Sequence, residues 1–189
     1  MISQQKIDQI ASTIRLAEED IKNKGVKGLT NKFPVNSNNL PFGTFFVDEL
    51  EIEPKKLCSE MDYIPSYFFY GCEKLNDIEL FGNIKRIELS AFSHCEHLFR
   101  VLMIANYEIP SFCFSECIIL HKIVIRGNCR YIHKDAFRNC ERLEEIYIPK
   151  TCEGIDDNAF SGCTNYFKIY SHNPNLVYNG SDGNIIYIK

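Results

Sequence analysis

Apolar positions recur along this chain with a period much longer than that of a helix or a strand. Five cysteines fall at Cys72, Cys95, Cys117, Cys140 and Cys163, separated by 23, 22, 23 and 23 residues. Three residues before each stands a phenylalanine, at Phe69, Phe92, Phe114, Phe137 and Phe160, and five residues before each of those an isoleucine, at Ile64, Ile87, Ile109, Ile132 and Ile155. Three residues after each cysteine come Leu75, Leu98, Leu120, Leu143 and Tyr166; six after come Ile78, Val101, Ile123, Ile146 and Ile169; eight after come Leu80, Met103, Ile125, Ile148 and Ser171. The unit reads I-x4-F-x2-C-x2-L-x2-I-x-I, and its last apolar positions alternate closely enough to predict a short strand. One such unit cannot bury its own apolar edge. Stacked, each column packs on the same column of the next copy and a continuous core results.

A period of 22 to 23 residues lies within the leucine-rich-repeat range. The expected fold is an α/β repeat: one right-handed leucine-rich-repeat solenoid with short parallel strands on its concave face, the regular repeats covering residues 62–172. Ahead of it, Ile7, Ile10, Ile14, Ala17 and Ile21 recur at helical spacing with Gly25 placed to stop the helix, which predicts an amphipathic helix over 3–23 that caps the open end. Residues 30–43 are rich in Asn and Pro and read as a connecting loop, so the chain divides into a helix-and-loop segment, 1–43, and the solenoid, 44–189. Within 44–52, Leu50 and Ile52 imitate the end of the repeat and predict a degenerate first coil. Residues 184–189 predict a strand that closes the far edge, after the turn Gly180-Ser181-Asp182-Gly183.

The segments YIHKDAFRNCERLEEIYIP and GIDDNAFSGCTNYFKIY resemble the BspA-like type of leucine-rich repeat. The resemblance spans the five registered copies. It implies the repeat fold and, as a function, surface adhesion or recognition.

Composition narrows the alternatives. The formal net charge is −4 with no basic stripe, so the phosphate-neutralising footprint of a nucleic-acid binder is missing. No apolar run approaches the roughly 20 residues of a spanning helix, and no signal peptide is recognisable, so membrane insertion is not expected and a cytoplasmic or host-intracellular setting is. Nine cysteines would suggest disulfides in a small secreted protein. Here Cys113 shares the column of Ala91, Ala136 and Ala159, and Cys129 pairs with Cys152 in a further column, so the thiols are expected to be reduced, buried small hydrophobes. Cys113, Cys117 and His121, or His94, Cys95 and His97, cluster in sequence without matching a paired zinc pattern. No G-x-S-x-G, phosphate loop or H-E-x-x-H occurs, and the adjacent Asp156 and Asp157 read as a polar turn, so neither an enzyme nor a cofactor is expected.

Side chains alternate faces along a strand, so the residue between the last two apolar positions of each unit should point away from the core. That column reads Glu79, Leu102, Val124, Tyr147 and Tyr170. Two residues earlier stand Asp77, Arg100, Lys122, Glu145 and Lys168, charges of both signs that flank the apolar line as a polar rim flanks a binding core. Phe99, His121 and Phe167 share the next variable column and widen it. These residues are the candidate partner-binding surface. The expected function is a non-catalytic protein-binding module, acting as a small intracellular inhibitor or sequestering protein. The alternative, which the family resemblance implies, is a cell-surface recognition or adhesion module. The partner is a protein, with self-association as a further outcome.

Overall fold

A computed structural model describes residues 63–188, apart from 65, 82, 83, 165, 181 and 182. The helix expected over 3–23, the loop at 30–43 and the degenerate coil at 44–52 lie outside the described residues. Each of the five units supplies one strand to a parallel sheet, β1 (Asp77–Leu80), β2 (Arg100–Ala105), β3 (Lys122–Gly127), β5 (Glu145–Ile148) and β7 (Lys168–Ser171), and the segment after them adds β8 (Asn184–Tyr187), in that spatial order. A narrower parallel ladder runs along the chain's return path. It consists of β4 (Tyr131–Ile132) beside β6 (Gly154–Ile155), with single bridges Ile64↔Ile87, Ile109↔Ile132 and Gly154↔Val177.

The sheet register is the column register of the sequence: Ile78, Val101, Ile123, Ile146 and Ile169 are successive partners, and each is buried. Between the two ladders lies the core. Its axis is a row of five phenylalanine rings, Phe69, Phe92, Phe114, Phe137 and Phe160, with successive centroids 5.1, 5.1, 5.5 and 5.4 Å apart and planes within 9° of parallel. The coil spacing sets these distances, and they suit offset ring stacking. Each cysteine Sγ reaches back to the phenylalanine carbonyl of the preceding coil: Cys95 to Phe69 (3.0 Å), Cys117 to Phe92 (3.2 Å), Cys140 to Phe114 (3.2 Å) and Cys163 to Phe137 (3.0 Å). A thiol there fills the space of a small hydrophobe while offering a weak donor to a carbonyl that water cannot reach. The eight cysteines among the described residues are buried and unbridged.

The described coils do not contain the helical half of the expected α/β repeat. Among the described residues there is no helix, and the return path is a series of turns. Its backbone is left-handed twice in each of four coils, first at Tyr67, Ser90, Phe112 and Asp135, then at Gly71, His94, Glu116 and Asn139, and once in the last coil, at Gly162. A helix cannot run through such residues. The turn amides bond instead to the next coil: Phe92 N donates to Cys113 O (2.9 Å), Phe114 N to Ala136 O (2.8 Å) and Glu116 N to Arg138 O (2.7 Å). Hydrogen bonding between coils takes the place of hydrogen bonding along a helix axis.

Two coils depart locally from the consensus. The corner from Met103 to Ile109 is one residue shorter than the corresponding corners from Leu80 to Ile87, Ile125 to Ile132 and Ile148 to Ile155. Both ladders nevertheless stay in register across it, with Ala105 opposite Gly127 and Ile109 opposite Ile132. Gly127 has φ +91°, and a Cβ there would lie 2.7 Å from Ala105 O, so the two corners pass backbone against backbone. In the last coil the leucine column slips by one residue. Tyr166, which spacing assigns to that column, is 87% exposed, while Phe167 is completely buried and packs 4.8 Å from the Phe160 ring. A phenyl ring has no hydroxyl to satisfy, so it takes the dry position and the phenol goes to water.

Candidate protein-binding face

Alternation along the strands turns one side chain in two away from the core. On the outward side Glu79, Leu102, Val124, Tyr147, Tyr170 and Ile186 are successive register partners, each half-exposed. The five expected from the sequence thus stand side by side, and Ile186 of β8 extends their row. Tyr147 and Tyr170 stack with centroids 4.5 Å apart and planes 13° from parallel. Lys122 Nζ lies 4.8 Å from the centre of the Tyr147 ring, a cation–π contact.

The neighbouring charged row is equally regular: Asp77, Arg100, Lys122, Glu145, Lys168 and then Asn184. Its members largely engage one another. Lys122 Nζ donates to Glu145 Oε2 at 2.7 Å, Tyr147 Oη donates to the same oxygen at 3.3 Å, and Arg100 Nε lies 3.6 Å from Asp77 Oδ1. The lysine hydrogen bond holds the Glu145 carboxyl below the usual carboxylate range and raises the Lys122 ammonium. These pairs fix the side chains beside the tyrosines at little cost in stability either way, since half-exposed ion pairs are well screened.

Phe99 is 49% exposed and stacks on His121, centroids 5.2 Å apart and planes within 6°. Phe167 is a correction. It was expected on this surface in the column of Phe99 and His121, but it is core, and the exposed aromatic of its coil is Tyr166. Two further residues belong to the face: Phe81 (40% exposed) and Ile104 (42% exposed). Ile104 continues the outward alternation of β2 after Arg100 and Leu102. The signal was in the sequence, one residue beyond the last apolar position of the consensus and two beyond the outward Glu79 and Leu102.

Among the described residues no group of three His, Cys, Asp or Glu side chains could hold a metal ion, and no helix is long and apolar enough to cross a membrane. Burial pushes the thiols upward, Cys113 and Cys140 well above their ordinary value, Cys129 to about 12 and Cys152 to about 11, which makes them poor nucleophiles. A stack of parallel coils with in-register columns inside and a half-exposed aromatic row outside is a leucine-rich-repeat solenoid, a protein-binding module. The chain belongs to the BspA type leucine-rich-repeat family, whose sequence profile matches residues 43–167 as a region of six copies.

Among solved structures it is similar to a leucine rich cell surface protein from Faecalibacterium prausnitzii, with 30% sequence identity and a TM-score of 0.51. The similarity covers 64% of this chain and 30% of that protein, so this chain matches less than a third of that protein's length. No curated protein matches the chain. The likeness to a cell surface protein, together with this chain's membership of the BspA type family, overturns the expected cytoplasmic or host-intracellular setting. That expectation rested on the lack of a recognisable leader in these residues, and such a lack says nothing about export.

Proposed function

We propose that this chain is a cell-surface recognition or adhesion module that engages a protein partner through the outward face of its sheet. The observation that carries the reading is the in-register row Leu102, Val124, Tyr147 and Tyr170, half-exposed, stacked at the tyrosine end and flanked by mutually paired charges. An apolar, aromatic centre inside a polar rim is the anatomy of a protein interface, and tyrosines dominate the energetics of such centres. The solved relative named for the cell surface supports the setting.

The test is capture of surface proteins from partner and source cells by the wild-type chain and by a Tyr147→Asp/Tyr170→Asp variant shown by circular dichroism to be folded. A protein held by the wild type should bind the variant at least about tenfold more weakly, since one hot-spot tyrosine contributes more than about 1.4 kcal/mol. Equal capture by both would remove the sheet face from the interface. Brief proteolysis of intact source cells checks the setting: the chain should be released or cut, and its full protection would sink the surface assignment.

A further inference from the structure

Beside the start of the strands the surface opens into a cavity of about 580 Å3, within the range of small-ligand sites. The slip in the last coil shapes it. Phe99, His121 and Glu144 occupy successive coils of one column whose next member, Phe167, has turned into the core. Tyr166 stands outward in its place and lines the same cavity as the other three. The Glu144 side chain is 70% exposed, and its Oε1 lies 3.5 Å from His121 Nδ1, against the flat Phe99–His121 stack. A reachable carboxylate therefore sits between an aromatic pair on one side and an exposed tyrosine on the other.

The charges around it favour a cation. Three carboxylates line the cavity, Glu141, Glu144 and Glu145, against the two permanent cations Arg142 and Lys168. Lys168 acts on Glu145, whose carboxyl it helps to hold down after the larger effect of Lys122, so that part of the lining is already balanced. Glu141 and Glu144 remain against the single guanidinium of Arg142, so the rest of the lining carries an excess of one carboxylate. Aromatic faces attract cations and repel anions, and a carboxylate behind them adds a charge-assisted hydrogen bond.

We propose that this groove is a subsite for a lysine or arginine side chain of the bound protein. The proposal rests on the protein-binding reading and adds to it which side chain the partner presents beside the tyrosine row, at the start of the strands. A flexible basic side chain fits an open groove of this kind: its methylenes lie along Phe99 and Tyr166 while its charged head meets Glu144.

The experiment uses the folded full chain, labelled with nitrogen-15, and small probes in place of the partner: N-acetyl-arginine amide, N-acetyl-lysine amide and, as the neutral control, N-acetyl-norleucine amide. Both cations should shift the backbone amide signals of Glu144 and Tyr166 in a saturable way, with a Kd on the order of millimolar, and the norleucine probe should not. Glu144→Gln and Tyr166→Ser, both at exposed positions, should each weaken the cations about fivefold or more. Equal shifts with norleucine, no saturable shift with either cation, or undiminished binding by Glu144→Gln would each overturn the proposal. The probes report on the groove and the capture experiment on the tyrosine row, so either reading can fail without the other.

Discussion

At the scale of single residues the last coil carries the clearest lesson. Counting by spacing places Tyr166 in the core and Phe167 on the surface, and the molecule does the reverse. Phe167→Ala should therefore cost about 3–5 kcal/mol, the range for emptying a buried phenylalanine site, whereas Tyr166→Ala should stay within about 0.5 kcal/mol. Urea unfolding of the two variants decides it, and comparable losses would mean that the phenol shares the core. The other inward columns were legible because each repeats with one residue type or a close substitute. The slip was not, because spacing carries no record of which of two adjacent aromatic residues has a hydroxyl to hydrate. The left-handed turns were equally hidden. In the column before each cysteine, Gly71, Asn139 and Gly162 give a hint, but His94 and Glu116 hold the same backbone conformation with side chains that do not advertise it.

At the scale of elements, the strands were readable from alternation and their register from the repeat, since a one-residue slip would expose every inward column. The return path was not readable, because its apolar spacing is compatible with a helix until the coil-to-coil hydrogen bonds are known. Its buried thiols have a measurable consequence. Burial raises Cys129 to about 12, Cys152 to about 11, and Cys113 and Cys140 well above the ordinary thiol value. In the unfolded chain the same groups ionise near about 8.5. Below that pH both states hold the protons and the stability is complete. Above it the unfolded state loses protons that the folded state keeps, so stability falls as pH rises toward the folded values, by about 1.4 kcal/mol per pH unit for each such thiol. Urea melts at pH 8, 9 and 10 should show this steepening loss, and Cys152→Ala should make the slope shallower by about one thiol's share. A flat profile over that range would contradict the burial of these groups.

At the scale of the whole array, cohesion passes only between neighbouring coils, so protection should vary along it. β3 and β5 have a strand on each side, and their inward residues are fully or almost fully buried, whereas in β8 Ile185 and Ile186 are only half-buried and Tyr187 is exposed. Hydrogen exchange should find the β3 and β5 amides more protected than those of β8 by at least about 1 kcal/mol, and uniform protection would mean that the coils unfold as one unit. Where the coils differ in length has a further consequence. The corner from Met103 to Ile109 has lost one residue with both ladders undisturbed on either side, and it does so where Asn128 N still donates to Ala105 O at 2.8 Å and Asn128 Nδ2 to Asn106 Oδ1 at 3.2 Å. That corner works as an expansion joint. It uncouples the register of the sheet face from the number of residues per coil, so a coil can be one residue shorter at such a joint while the outward rows on either side stay aligned.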